Sequence, residues 1–265
     1  MRAVHIPEHG APDVLRVVEL PDPEPAAGEV LVRVLGVSVN HLDLWVRRGM
    51  PGMPIPLPRI PGCDGTGEIV ALGSGVDAST LAVGQKVVLE PGYSSATADE
   101  IAAGEDHYVD DYEIRGEHCD GFDRELVCLP AEYVLPLPDG VDPVAGAAVP
   151  LVFLTAWGLV HSRGGLSAGE RVLVVAGSSG VGSAAIQLAK THGARVIATA
   201  GSEAKLARCR ELGADVAINY REGDFGDAVA EATAGRGVDV ACDLVGGEVT
   251  QRTMRCMAYG GRLMM

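Results

Sequence analysis

RVLVVAGSSGVGSAAIQLAK, residues 171–190, is the stretch of sequence that decides the fold. It begins with a continuous apolar run, turns at residues 176–182 and continues with apolar residues at helical spacing. A strand, a glycine-rich turn and a helix in this order are the context that a dinucleotide-binding fingerprint requires. Glycines let backbone N–H groups approach a pyrophosphate, and the positive end of the helix dipole favours its charge. We therefore predict a cofactor-binding turn, with a glycine-rich turn that binds no ligand as the alternative; its residues are Gly177, Ser178, Ser179, Gly180, Val181 and Gly182.

The same alternation of strand and helix continues downstream of this turn. Strands that alternate with helices of this length predict an α/β fold with a parallel, doubly wound sheet. A fifth strand begins at residue 262, close to the end of the chain, so we expect the sheet to be incomplete at its C-terminal side. The predicted strands are 171–176, 195–199, 215–218 and 238–243, and the predicted helices are 183–192, 203–212, 225–234 and 248–257.

The first half of the chain is rich in Gly, Pro and β-branched residues. Short strands such as residues 29–34 and 67–72 alternate with turns, which predicts a β-rich, barrel-like domain. Near residue 149 the pattern of short strands and turns gives way to longer apolar runs and helical spacing. We therefore expect one domain at residues 1–148 and a second at 149–265. Residues 92–121 contain many acidic residues close together, and their apolar residues follow neither helical nor strand spacing. We expect them to form an irregular lobe of the first domain.

Acidic residues outnumber basic ones, 36 to 21, which gives the 265-residue chain a formal net charge of −15. Such a charge repels nucleic acids and anionic membranes, so we expect neither as a partner. The chain lacks an uninterrupted apolar run of the roughly 18 residues that span a membrane, and its first residues lack the pattern of an export signal. We therefore expect a cytoplasmic protein with a small-molecule substrate.

The composition carries two further signals. The six cysteines include no Cys-x-x-Cys pair, which argues against a disulfide framework or a zinc ribbon. Only three of the basic residues are lysine. Adaptation to high salt and a GC-rich genome explain this bias toward arginine equally well.

The identity of the dinucleotide depends on the end of the second strand, where an NAD site places a carboxylate against the ribose 2′-hydroxyl. Residues 198–202, ATAGS, contain no carboxylate. Ser202 can donate a hydrogen bond to a phosphate, and Lys205 with Arg208 follows on the next helical turn. A 2′-phosphate is thus neutralised rather than repelled, and we predict NADPH as the cofactor. Glu203 is close enough to keep NADH as the alternative.

Four further stretches carry a family resemblance: GEVLVRV at 28–34, NHLDLWVRRG at 40–49, PGCDGTG at 61–67 and DLVGG at 243–247. With the glycine-rich turn they resemble the medium-chain dehydrogenase/reductase superfamily, and within it the quinone oxidoreductase and zinc-type alcohol dehydrogenase group. The resemblance implies an N-terminal GroES-like β-barrel domain, a Rossmann domain, an active site between the two and a homodimer. It also implies that whole relatives continue beyond the residues present here.

The resemblance adds one residue to the cofactor site. In the family, the loop after the third strand contributes to the 2′-phosphate pocket, which here corresponds to Tyr220. Tyr220 would then lie beside Ser202 and Lys205. The alternative is a packing residue at the end of a strand.

The same resemblance argues against zinc. Zinc-using relatives have Cys at the position of Asn40, His at that of Cys63 and a third ligand near Val149, so one possible ligand survives here. A catalytic zinc needs three protein ligands, and we expect no metal. The four cysteines that bind the structural zinc of such relatives correspond to Ser95, Ala98, Ile101 and Val109.

Without zinc, the resemblance implies hydride transfer from NADPH to a quinone or an α,β-unsaturated carbonyl. Asn40 is the candidate donor to the substrate oxygen, and the alternative is an Asn that fixes a turn. His41 is a candidate proton donor or a polar lining residue. Asp43 and Arg47 are spaced for an ion pair on one helix face. The competing hypotheses are an inert NADPH-binding remnant or fragment and a zinc-dependent alcohol dehydrogenase.

Overall fold

The computed structural model of the chain describes residues 1–94 and 108–265, and these form two compact units. The first unit is Met1–Leu151 and the second is Val152–Met265. Their boundary lies three residues beyond the predicted one. Ser95, Ala98 and Ile101, three of the positions compared with zinc ligands, lie outside the described residues.

The first unit is built around an antiparallel sheet in the strand order β8-β3-β4-β5-β9. Alternation along β3 buries Val30 and Val32 on the inner face, where they pack with Phe122 and other apolar residues. Two pairs of short strands, β1 with β2 and β6 with β7, lie outside this sheet. The strands are β1 (Arg2–His5), β2 (Arg16–Glu19), β3 (Glu29–Ser38), β4 (Asp64–Leu72), β5 (Lys86–Leu89), β6 (Gly92–Tyr93), β7 (Glu113–Ile114), β8 (Leu126–Pro130) and β9 (Val134–Pro136).

Helix α1 (His41–Arg48) follows β3 directly and connects it toward β4. Its buried residue Val46 packs with Ile6 and Ile55 in a small core of its own. Two further helices are α2 (Pro143–Gly146) and α3 (Pro150–Trp157).

The second unit contains a five-stranded parallel sheet in the order β12-β11-β10-β13-β14, as the alternating pattern predicted. Both faces of the sheet are covered by apolar cores, which suits strands that are apolar along their whole length. Its strands are β10 (Arg171–Val174), β11 (Arg195–Ala200), β12 (Val216–Asn219), β13 (Val238–Cys242) and β14 (Met257–Met264), and its helices are α4 (Gly180–Thr191), α5 (Glu203–Glu211), α6 (Phe225–Ala232) and α7 (Glu248–Arg255).

Strand β14 begins at Met257, five residues before its predicted start at residue 262. Its pairing with β13 shifts register between Val238 and Val240, and Gly260 has a φ of 78°. A bulge of this kind inserts unpaired residues into a strand. The glycines inside the strand therefore hid its first half from the sequence pattern.

Residues Pro143–Ser162 form a 20-residue helical segment with a mean hydropathy of 1.8, long and apolar enough to cross a membrane. The sequence analysis considered only uninterrupted apolar runs, whereas the mean hydropathy of this helix is averaged over a window that includes polar residues. Core helices of soluble proteins have the same composition, and 33% of the most apolar window is buried. Leu159 and Val160, for example, belong to a buried core. The segment is weak evidence for a membrane span.

Candidate functional site

The glycine-rich turn lies between β10 and α4, at the point where the strand order of the sheet reverses. Ligands of doubly wound sheets bind at this point, beyond the carboxyl ends of the strands. Ser179 is the N-cap of α4, and its Oγ accepts a hydrogen bond of 3.1 Å from Gly182 N. In the described part of the chain, the N–H groups of Gly180 and Val181 have no acceptor. Two free donors at a helix N-terminus can bind a pyrophosphate.

Two glycines of the turn are required by close packing. A Cβ on Gly182 would lie 2.4 Å from the carbonyl oxygen of Ala176, and a Cβ on Gly177 would lie 2.9 Å from Ala198 Cβ. At the exposed Gly180 a Cβ would meet only the side chain of Val152, at 3.0 Å. Gly177 and Gly182 therefore let the helix approach the sheet, whereas Gly180 leaves the ligand side of the turn open.

Neighbouring strands fix this turn from both sides. Gly177 N donates to the carbonyl of Thr199 at the end of β11, at 2.9 Å. On the other side, Val175 N donates to the carbonyl of Cys242 at the end of β13, at 3.0 Å, and the next residue, Asp243, is 3% exposed. Its Oδ1 accepts from Val245 N and Gly246 N at 3.0 and 3.1 Å, so its carboxylate closes the next loop. The turn is thus anchored before any ligand binds.

A second group of predicted residues meets at the ends of β11 and β12. Because Ala200 pairs with Asn219, the strand register brings Tyr220 against Gly201. A Cβ on Gly201 would lie 2.5 Å from the Tyr220 hydroxyl and 3.2 Å from Arg221 Nε. Arg221 was not predicted, because it follows Tyr220 by one residue and only the register shows that it lies beside Gly201.

The charges in this region favour an anion. Ser202 is the N-cap of α5, but its hydroxyl does not cap the helix. Glu203, the carboxylate that kept NADH as the alternative, contacts Arg210 at 2.7 Å. Among residues 1–94 and 108–265, neither Lys205 nor Arg221 has a partner carboxylate within ion-pair distance. We call Ser202, Tyr220 and Arg221, together with Lys205 one helical turn after Ser202 in α5, the cation pocket.

In the first unit, Asn40 belongs to a hydrogen-bond network around Asp64, which is fully buried. Asp64 Oδ2 accepts from Asn40 Nδ2 and from Ser38 Oγ, both at 2.7 Å. Asp64 Oδ1 accepts from Leu151 N at 2.7 Å. Because a carboxylate only accepts, the NH₂ group of Asn40 must face Asp64. One N–H of the group donates to Asp64, and the second has a long contact with Cys63 Sγ, at 3.4 Å, so this second N–H is the donor that Asn40 can offer to a substrate oxygen.

Asp43 also serves the local backbone. Its carboxylate accepts from Asn40 N at 2.7 Å and from Gly62 N at 3.0 Å, which joins α1 to the segment before β4. Burial raises the pKa of Asp43, and these two hydrogen bonds oppose the shift. The predicted ion pair with Arg47 is wrong: the carboxylate turns to the helix N-terminus as a capping-box residue, and both residues lie in the described part of the chain.

Cys63 and His41 differ in their accessibility. The Cys63 side chain is fully buried, and burial, followed by the charges of Asp43 and Asp64, raises the pKa of its thiol above the usual range. His41 is exposed at the start of α1, with its ring centroid 6.1 Å from that of Trp45. The imidazole of His41 is thus accessible to solvent, whereas the thiol of Cys63 is not.

These residues do not fit a zinc ion. A catalytic zinc needs three thiolate, imidazole or carboxylate ligands, whereas Asn40 directs its amide NH₂ group toward Asp64, which leaves only Cys63 with such a ligand among the compared positions. Val149 has no ligand atom in its side chain. In the described ranges, no group of three or more His, Cys, Asp and Glu side chains is placed to hold a metal.

An antiparallel β unit followed by a parallel sheet with a glycine-rich turn at its switch point defines a two-domain dinucleotide-binding protein. The family model of the alcohol dehydrogenase GroES-like domain matches residues 26–139, and that of the zinc-binding dehydrogenases matches residues 180–265. The chain belongs to the medium-chain dehydrogenase/reductase superfamily, which confirms the family, the GroES-like domain and the Rossmann sheet predicted from the motifs.

Three similar proteins illustrate the range of this family. Quinone oxidoreductase of Homo sapiens is 30% identical over 267 residues, which cover 100% of this chain and 72% of that protein. The crystal structure of an NAD-dependent alcohol dehydrogenase superposes with a TM-score of 0.94 at 44% identity, over 99% of this chain and 76% of that one. A phenolphthiocerol/phthiocerol polyketide synthase of Mycobacterium tuberculosis is 34% identical over 260 residues. That match covers 98% of this chain, which spans 10% of the length of the synthase.

Proposed function

We propose that this chain is an NADPH-dependent oxidoreductase that transfers hydride to a quinone or an α,β-unsaturated carbonyl without zinc. The observation that carries this proposal is the cation pocket beside the glycine-rich turn. Lys205 and Arg221 are cationic, and the adjacent strand end at residues 198–202 has no carboxylate. Similarity to quinone oxidoreductase supports the reaction class.

The preference for NADPH follows from charge. A 2′-phosphate in the cation pocket would contact Lys205 and Arg221 and could accept from the hydroxyls of Ser202 and Tyr220. NADH lacks this phosphate and would leave both cations without a partner. NADH stays the alternative because the 44%-identical crystal structure is that of an NAD-dependent enzyme.

Independence of zinc is supported by the residues around Asp64. Of the three positions compared with zinc ligands, Asn40, Cys63 and Val149, only Cys63 has a thiol, imidazole or carboxylate side chain, whereas a catalytic zinc needs three such ligands. The family model of the zinc-binding dehydrogenases matches residues 180–265, in the second unit. Asn40 and Cys63 lie outside the residues that this model matches.

The residues of the chain have distinct proposed roles. Bound NADPH supplies the hydride. The N–H groups of Gly180 and Val181 bind its pyrophosphate, and the cation pocket selects its 2′-phosphate. Asn40 fixes the connection between β3 and α1, and the exposed His41 exchanges a proton with solvent. The small-molecule substrate, the homodimer and the cytoplasmic location stay predictions; the six cysteines, all in the described residues and all unpaired, support a reducing compartment.

The experiment is a turnover assay of the purified 265-residue chain, with NADPH and a panel of small quinones and enones and, in separate reactions, with NADP⁺ or NAD⁺ and a panel of primary alcohols. Oxidation of NADPH by a quinone or enone, unchanged by a chelator, is the expected result. Zinc-dependent oxidation of an alcohol would show the zinc dehydrogenase instead. Tight NADPH binding with no turnover on any substrate would show the second candidate, an NADPH-binding chain without catalysis, which the coverage of only 72% of the human relative keeps open.

A further inference from the structure

Three arginines from separate segments of the first unit meet around Cys119 and Asp120. Arg59 NH1 lies 3.7 Å from the Asp120 carboxylate, and Arg124 NH2 lies 3.5 Å from the Asp120 carbonyl oxygen. Arg115 pairs with Cys119 through a backbone bridge. We call Arg59, Arg115 and Arg124 the arginine cluster.

The arginines of this cluster are largely buried, but they have few hydrogen-bond partners among the described residues. Arg59 and Arg115 are each 8% exposed. The Nε atoms of all three arginines are buried and, among the described residues, have no hydrogen-bond partner. The guanidinium of Arg115 lies over a ring face, with its Cζ 5.2 Å from the centroid of Tyr93. Burying an uncompensated cation is costly, so a missing counter-charge is expected here.

The carboxylates nearby do not balance the cluster. Asp120 faces Arg59 and also accepts from Ile60 N at 3.0 Å. Glu113 faces Arg115 and Cys119. The buried Glu117 lies 3.6 Å from His118 Nδ1 and is not paired with an arginine in the described ranges. Within residues 1–94 and 108–265, three guanidiniums therefore face two carboxylates.

We propose that the arginine cluster binds a small oxyanion, such as inorganic phosphate. Guanidinium groups bind the oxygens of phosphate in a forked geometry, and the buried Nε of Arg115 is a donor still without an acceptor among the residues described. The site opens to solvent at its rim, because Asp120 is 47% exposed at its side chain and Cys119 and Arg124 are half-buried. The site lies in the first unit and does not depend on the proposed cofactor.

The test is calorimetric titration of the whole chain with inorganic phosphate, with sodium chloride holding the ionic strength constant. The chain is expected to bind phosphate saturably, and Arg115→Met to weaken this binding by about tenfold or more, as expected for loss of a charged hydrogen bond. Arg124→Met, at the rim, gives a second reading if Arg115→Met fails to fold. Arg255→Met removes an exposed arginine of α7 and is the matched control.

Phosphate also suits the cofactor site, so a second control separates the two sites. In Lys205→Ala/Arg221→Ala, the phosphate binding assigned to the arginine cluster should persist. Absence of saturable binding, or equal affinity in Arg115→Met, Arg124→Met and Arg255→Met, would overturn the proposal. These phosphate titrations are done without a nicotinamide cofactor. Their outcome therefore tests the arginine cluster independently of the proposed function.

Discussion

Gly182 and Gly180 lie two residues apart in the same turn and serve different purposes. A methyl group on Gly182 would lie 2.4 Å from a backbone oxygen, and backbone at this position cannot move without separating α4 from β10. The first Cβ contact at Gly180 is a side-chain methyl group of Val152, at 3.0 Å, which can shift. Replacing each glycine by alanine adds the same methyl group. At Gly182 this tests the packing of the helix on the sheet, and at Gly180 it tests access of the ligand to the turn.

We predict that Gly182→Ala lowers the free energy of unfolding by roughly 2–3 kcal/mol, in the range of overpacked buried sites. Gly180→Ala should change stability by less than about 1 kcal/mol while weakening NADPH binding, because the methyl group stands on the ligand side. Urea unfolding and NADPH fluorescence titration of both variants check this. Equal destabilisation by the two substitutions would contradict the assignment.

Asp123 provides a pH-dependent contribution to stability. Its carboxyl lies against Gly62, where a Cβ would be 2.5 Å from Asp123 Oδ1. Burial, with a smaller contribution from the charge of Asp43, raises the pKa of Asp123 from 3.8 to about 6. Between pH 3.8 and about pH 6, the Asp123 carboxyl is therefore protonated in the folded chain and ionised in the unfolded chain. The resulting stability is present below pH 3.8 and is lost as the pH rises through about 6.

We predict that Asp123→Asn is more stable than the natural chain at pH 8, by about 1–2 kcal/mol, and that this advantage shrinks as the pH falls to 4. Urea unfolding at both pH values measures it. Asp227→Asn, which removes an exposed carboxylate on α6, is the control and should show no such trend. A constant difference between Asp123→Asn and the natural chain at all pH values would refute the prediction.

At the scale of elements, the ends of β11 and β12 form the cation pocket because their register places Ala200 beside Asn219. We predict that Lys205→Ala and Arg221→Ala each weaken NADPH binding about tenfold, since each removes a charged hydrogen bond to the 2′-phosphate. NADH binding should change by less than about twofold. Titration of both cofactors against both variants checks this, with Arg208→Ala, whose side chain pairs with Glu211, as the control. Parallel losses for NADPH and NADH would remove the 2′-phosphate assignment.

The parallel sheet could be predicted from sequence because its first four strands are short, mostly apolar runs that are each followed by a helix, whereas the first half of β14 was missed. Arg221 could not, since its proximity to Gly201 depends on the register of two strands that are separated by a helix. The surroundings of Asn40 were hidden for a similar reason: Asp64 is 24 residues away in sequence and reaches Asn40 only through the pairing of β3 with β4. Local patterns thus identified the elements, whereas long-range pairing determined what their side chains contact.

At the scale of the whole molecule, charge is the dominant property. A net charge of −15 makes the compact state repel itself, and salt screens this repulsion. We predict that raising sodium chloride from low to molar concentration at pH 7 raises the melting temperature. Near the isoelectric point of about 4.8 the effect should be much smaller. Equal responses at the two pH values would show that general salting effects, rather than self-repulsion, stabilise the chain.

The central claim is that the cation pocket makes this chain an NADPH-binding protein. The most direct measurement is a pair of equilibrium titrations of the unmodified chain, one with NADPH and one with NADH, at the same moderate ionic strength. We predict that NADPH binds at least about tenfold more tightly than NADH, because the role proposed for Lys205 and Arg221 is to bind a phosphate that NADH lacks. Equal affinities, or tighter binding of NADH, would contradict the claim.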